Sequence, residues 1–320
     1  MDLHLLFDNL TNPALLFFVL GIFAAQVKSD LEIPKNSSKF ISLYLLLAIG
    51  FKGGQELAHS SYTADIGWSL VMGIALAIIV PVYSYYILRL KFTVDNAGAI
   101  AAAYGSVSAV TFVTAISFLE MKDIPFGGHM VAVMALMEAP SIIVGVLLMR
   151  IHSNGKKSSK EMMGLVKHAV TNGSVLLILG SLVIGFMASD AQAEGIKPFT
   201  TDIFKGFLAV FLLDMGITSG KKIGTLIKKG WFALIFAIFI PIVNGITTAY
   251  LSSHVLSSDG DRLLLAILAA SASYIAVPAA MRIAAPKANP SLYLPMALAI
   301  TFPFNITLGM PIYMWFIQHT

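Results

Sequence analysis

Long apolar runs alternate with short polar stretches along the chain, and hydropathy divides it into about ten membrane spans: 13–27, 39–57, 66–88, 97–119, 127–150, 173–189, 203–220, 230–251, 261–281 and 290–317. Two of the runs are interrupted. Span 4 turns small and hydroxylic at Ala101-Ala-Ala-Tyr-Gly-Ser-Val-Ser-Ala-Val-Thr111, and span 9 does so at Leu268-Ala-Ala-Ser-Ala-Ser-Tyr-Ile-Ala-Val-Pro278. Each interruption sets a Ser-x-Ser pair, Ser106/Ser108 and Ser271/Ser273, about ten residues into an apolar run, which is close to the bilayer midplane at roughly 1.5 Å of rise per residue. Paired weak points at corresponding depth are the usual pointer to a transport site.

Other landmarks recur with them. Asn12-Pro13 before the first span answers Asn172-Gly173 before the sixth, and Gly50-Phe-Lys-Gly-Gly54 answers Gly216-Ile-Thr-Ser-Gly220. Pro140 with Gly145 answers Pro303 with Gly309, and all the offsets fall between 160 and 166 residues. Five spans per half force the halves to face opposite ways. The expected fold is therefore an all-α polytopic membrane protein, a five-plus-five inverted repeat with broken, crossing helices. The first repeat takes residues 1–151, a Ser/Lys/Gly-rich cytoplasmic linker 152–172, and the second repeat 173–320.

Composition narrows the picture further. With 57% hydrophobic and only 12% charged residues, the chain has far more apolar side chain than a water-soluble globule could bury. The absence of cysteine rules out disulfides, thiolate metal sites and Cys nucleophiles. No phosphate loop, zinc spacing or nucleophile elbow is present, so neither an enzyme nor a cofactor is predicted. The net charge of +4 has no basic cluster interleaved with aromatics behind it, so it does not suggest nucleic acid; topology accounts for it better.

Sixteen of the 21 Lys and Arg follow odd-numbered spans, among them Lys28, Lys35, Lys39, Arg150, Lys156, Lys221, Lys222 and Arg282, against four on the other side (Lys122, Lys197, Lys205, Arg262). The positive-inside rule then places both termini outside the cytoplasm in a multi-pass inner (plasma) membrane protein. Met1 to Asn12 carries Asp2 and Asp8 without Lys or Arg, so it reads as an ordered start of the mature protein rather than a secretory signal.

A helix broken inside hydrocarbon frees amides and carbonyls that lipid cannot satisfy, so the break must line a cavity or be buried in protein. The half-helix beginning beyond it aims free N–H groups and a positive dipole end at that cavity, which suits a small anion. Gly105, Ser106, Ser108, Thr111, Ser271 and Ser273 are the candidate substrate-binding residues, the hydroxyls supplying both donors and acceptors. The competing reading is that small residues only let helices pack closely.

Glu138 and Asp214 are intramembrane carboxylates, each needing a proton or a partner. Glu138 precedes Pro140, which frees a carbonyl, so the pair suits Na⁺ or H⁺. Thr301-Phe-Pro-Phe-Asn305 supplies neutral oxygens at the matching place. Lys52 could counter a buried acid or an anion, or snorkel outward, and Asp214 could serve gating or charge compensation. His129, Tyr83, Tyr85, Tyr86, Tyr313 and Trp315 fall at span ends and read as interfacial residues.

These residues carry a resemblance. The sequence resembles the sodium-dependent bicarbonate transporter family (SbtA type) nearly end to end, most specifically at Ala269-Ala-Ser-Ala-Ser-Tyr-Ile-Ala-Val-Pro278, Arg282, Pro286-Lys-Ala-Asn-Pro-Ser291, Pro303 and Pro311, with support from Gly105-Ser-Val-Ser108, Thr111, Met137-Glu-Ala-Pro140 and Gly50/Gly53-Gly54. The resemblance implies a core domain (66–151 and 230–320), a gate domain (1–57 and 173–221), a homotrimer, and an anion held with Na⁺ as the coupling ion where spans 4 and 9 cross. It assigns Ser106, Ser108, Thr111, Ser271 and Ser273 to the substrate side, and Glu138 to the place of a family Asp. Tyr274 stands where cyanobacterial members carry an Asp, at the cation side. A PII-like regulatory partner, known for cyanobacterial members, stays open here because the linker is short.

Function thus reads as secondary transport of a small anion, foremost Na⁺-dependent bicarbonate uptake by an elevator-like shift. A Na⁺/H⁺ exchanger or an organic-anion:Na⁺ symporter, in which Glu138 and Asp214 would titrate, is an alternative. Another is a transport-impaired membrane sensor or scaffold.

Overall fold

The computed structural model describes residues 11–60, 63–153, 173–227 and 230–320. The expected ordered start at residues 1–10 and most of the linker, 154–172, lie outside the described residues.

Among the described residues there are helices and no strands. In chain order these are α1 Pro13–Gln26, α2 Lys35–His59, α3 Ala64–Arg89, α4 Val94–Gly105, α5 Ala109–Met121, α6 His129–Ile151, α7 Gly173–Met187, α8 Asp190–Lys197, α9 Phe204–Ile227, α10 Trp231–Ser252, α11 Asp259–Ala270, α12 Ala276–Ala284 and α13, a composite running from Pro290 to Ile317. Six of the helical segments are long and apolar enough to cross a membrane. The sequence writes their starts. Asn12, Thr93, Ser108, Ser258 and Asn289 each accept a backbone N–H with their side chains at the heads of α1, α4, α5, α11 and α13.

Helix α1 packs along α9 and α2 along α7. On the other side α3, α4 and α6 pack together, as do α10, α11 and α13, with α5 touching α11. Over its most apolar 18 residues the broken segment Val94–Met121 has 94% of residues buried, against 28% for Ala64–Arg89, so the interrupted rod lies at the centre and α3 turns much of its apolar surface outward.

The two long pairings depend on backbone contact, since lipid tails solvate leucine as well as a neighbouring helix does. A side chain on Gly21 would strike the α9 backbone at Leu213 and Gly216, and one on Gly54 would strike the α7 backbone at Leu182 and Phe186. Gly54→Leu is therefore expected to force α2 off α7 at a cost of about 1–3 kcal/mol. Heating in detergent, followed by size-exclusion of the remaining monodisperse protein, reads the lower melting point; an unchanged one would contradict this packing.

Three details add to the sequence reading. Between spans 6 and 7, Ser189 and Gln192 form a capping box that starts α8, and a π-helical turn at Pro198–Asp202 leads into α9. Its polar face had no hydropathy signal. Of the six residues read as interfacial, Tyr85, Tyr313 and His129 are buried in protein, Tyr83 and Trp315 are half-buried and Tyr86 is exposed. Their hydroxyls have protein partners in two cases, Tyr313 donating to the Pro241 carbonyl at 3.0 Å and Tyr83 to Asn244. Finally, α13 is not a uniform rod. Prolines 295, 303 and 311 each remove an amide donor, and the helix widens into π-helical turns at Met296–Thr301 and Asn305–Gly309.

Candidate functional site

Both interruptions are true breaks, and they cross. Helix α4 ends at Gly105, the chain is extended at Ser106 (ψ 174°) and Ser108 (ψ 104°), and α5 begins at Ala109. Helix α11 ends at Ala270 with Ser271 in nearly the same conformation as Ser106 (φ −84°, ψ 170° against φ −85°, ψ 174°), and α12 begins at Ala276. Each break donates to the other: the Ser108 amide to Ser271 Oγ at 3.0 Å, and the Ser273 amide to the Ala103 carbonyl at 2.8 Å. The carbonyls freed at the end of α11 are answered from behind, Ala269 by the Asn244 amide at 2.9 Å and Ala270 by the Asn305 amide at 2.8 Å. Backbone groups that hydrocarbon would leave unpaired are thus satisfied by protein.

Beside the crossing is a small pocket of about 30 Å³. About 10–15 Å³ suffices for one water, so this pocket holds a solute of only a few atoms. Ser108, Ala109 and Val110 from the head of α5, Ser273 to Ala276 at the head of α12, and Glu138 from α6 line it. The two helix heads bring positive dipole ends to the pocket, and Ser108 Oγ already caps α5 by accepting from Thr111 N at 3.2 Å. Glu138 is 8% exposed, and its Oε1 is buried without a partner among the described residues. The Tyr274 hydroxyl is likewise buried, close to Ser108 without closing a full hydrogen bond.

Of the predicted residues, the structure brings Ser108, Ser273, Tyr274 and Glu138 into this one pocket. Ser271 and Thr111 lie just behind it and brace it, Thr111 Oγ1 donating to Ser108 Oγ at 2.8 Å. Ser106 is fully buried with its hydroxyl unpartnered among the described residues, outside the pocket lining. Gly105 sits where any side chain would collide with Ser141 and Pro81, so it serves the packing of α4 against α3 and α6. Thr301 and Asn305 do not reach Glu138's pocket: Thr301 Oγ1 donates to the Ala237 carbonyl and pairs with the Tyr104 hydroxyl, both at 2.7 Å, while Asn305 holds Ala270. Ser42 of α2 and Ser174 of α7 also line the pocket and carry no sequence signal, because neither lies at a break in its helix.

Two wider cavities approach from opposite faces. On the lysine-rich side a cavity of about 420 Å³ is lined by Lys35, Lys39, Lys221, Asp214 and, at its floor, Ser42, Tyr274 and Ile275, which also line the small pocket. Asp214 accepts from Ser38 there. On the other face a cavity of about 450 Å³ reaches Lys52, which pairs with Glu120, and shares no residue with the pocket. Tyr274 and Ile275 therefore form the partition between pocket and lysine-rich cavity.

A family model for the Na⁺-dependent bicarbonate transporter superfamily matches residues 13–318. The chain belongs to this superfamily. It is a helical membrane protein of a transporter superfamily, and the match runs through both breaks, Glu138 and Tyr274. No curated protein matches the chain.

Proposed function

We propose that the protein carries bicarbonate inward together with Na⁺ by moving a core unit (α3–α6 and α10–α13) against a gate unit (α1, α2, α7–α9), in a five-plus-five inverted repeat with the lysine-rich face in the cytoplasm. The observation that carries this reading is the convergence of two helix heads and one unpartnered buried carboxylate on a single pocket. Donor N–H groups, Ser108 and Ser273 suit a small oxyanion, and Glu138 suits the accompanying cation. Anion and cation together also reduce the cost of placing either charge in a low-dielectric interior. The repeat is supported by the matched pairings, α1 with α9 and α7 with α2, and by the near-identical backbone at Ser106 and Ser271.

Labelled bicarbonate uptake into proteoliposomes, with an inward Na⁺ gradient and with K⁺ in its place, tests the proposal. Uptake that needs Na⁺ is expected; proton movement without carbonate species would point to exchange instead. Tyr274→Asp adds a second carboxylate to the pocket wall and is expected to lower the Na⁺ concentration giving half-maximal uptake. An unchanged Na⁺ response would remove Tyr274 from the cation side.

A further inference from the structure

On the face away from the lysine-rich cavity, α2 of the gate meets the core backbone to backbone. A side chain on Gly53 would strike Val131, and one on Gly128 would strike the Gly53 carbonyl and Glu56 Cβ. Glu56 is thus laid directly on the loop that enters α6. That loop is fixed by Asp261 of α11, which accepts from the Gly127 amide at 2.6 Å and lies 3.7 Å from His129 Nε2, with both side chains nearly fully buried. Ser69 of α3 lies 3.2 Å from the same histidine nitrogen.

The charges at this contact do not balance. Lys52, one turn before Glu56, is taken by Glu120 of α5. Asp65 of α3 accepts from both the amide and the hydroxyl of Ser257. Arg262 turns away to the Ala249 and Ile317 carbonyls and Asp259, and His59 with Asp190 of α8 forms a pair near the end of α2. What is left is half-buried Glu56, whose Oε2 is buried with no partner among the described residues; Lys52 favours its charge, but that lysine is already paired with Glu120, and Glu120 and Asp261 both oppose it. One lysine thus faces the carboxylates of Glu56, Glu120 and Asp261, so an ionised Glu56 there is compensated only in part, and a partly buried charge without a full partner is costly.

We infer that this contact is a single-proton site: Glu56 holds one proton while core and gate touch here, and losing that proton drives them apart. The closed contact binds the proton more tightly than the open one, so by linkage a rise of pH on this face favours opening. Acid pH on this face holds the pocket in communication with the lysine-rich side, and alkaline pH releases it. This inference rests on the core-against-gate reading above and not on the identity of the solute.

The test therefore uses no bicarbonate and no Na⁺. Because the chain has no cysteine, Thr218→Cys places a single thiol in the lysine-rich cavity, where a membrane-impermeant maleimide supplied on that side reports how open it is. With pH varied on the opposite face alone, labelling is expected to slow by about threefold or more between pH 6 and pH 8.5, as one proton leaves. Adding Glu56→Gln should hold labelling at the fast, acid value at every pH, whereas adding His129→Gln, which leaves Glu56 in place, should keep the pH dependence. Flat labelling with Glu56 intact, an undiminished pH response in Glu56→Gln, or loss of the response only in His129→Gln would each overturn the assignment.

Discussion

Ser108→Leu and Ser273→Leu are each expected to reduce the proposed bicarbonate uptake to the level of protein-free liposomes while the protein stays inserted and monodisperse. The pocket offers about 30 Å³, and both serines face it from the heads of half-helices. A leucine at either position fills that space and removes a hydroxyl. Overfilling costs about 1–3 kcal/mol, and since about 1.4 kcal/mol is a factor of ten in affinity, binding alone falls roughly 5- to 150-fold. Ser108→Leu also removes the cap on α5, worth about 1 kcal/mol. Because neither serine supports a lipid-facing contact, fold and insertion should survive, which circular dichroism and size-exclusion would verify. Normal uptake by both variants would eliminate the pocket as the transport site.

Glu138→Gln is the second large effect. It keeps the shape of the side chain and removes the one carboxylate in the pocket, so Na⁺ stimulation of uptake is expected to vanish. The same loss should be visible without transport: a cation bound only to the folded protein stabilises it by RT ln(1 + [L]/Kd), about 2.7 kcal/mol at a hundredfold excess over Kd. Wild-type protein should melt at a higher temperature in Na⁺ than in K⁺, and Glu138→Gln at the same temperature in both. A variant that still responds to Na⁺ would move the cation elsewhere.

Much of this was legible in the sequence because the bilayer imposes it. Long apolar runs had to be helices, and a Ser-x-Ser in the middle of two of them had to be a break with protected backbone. Ser108, Ser273, Tyr274 and Glu138 were readable for that reason, three as parts of a break and one as a charge in a place that penalises charge. Thr301 and Asn305 misled, because a polar residue beside a proline looks the same whether it faces a solute or, as Asn305 does, secures a neighbouring break from behind. Ser42 and Ser174 were invisible, since their role comes from which helix packs beside them and not from any local pattern. Asp261 and the Gly127 amide it accepts from, 134 residues apart, come together with His129 only through the tertiary fold.

The reciprocal bonds between the two breaks, Ser108 to Ser271 and Ser273 to Ala103, have a mechanical corollary. A vessel laced across its own seam resists being pulled open along it, because parting the lacing would strand two buried donors at about 1–3 kcal/mol apiece. Release by carrying the laced vessel whole past a stationary wall leaves every stitch intact, and so favours conveyance over unfastening.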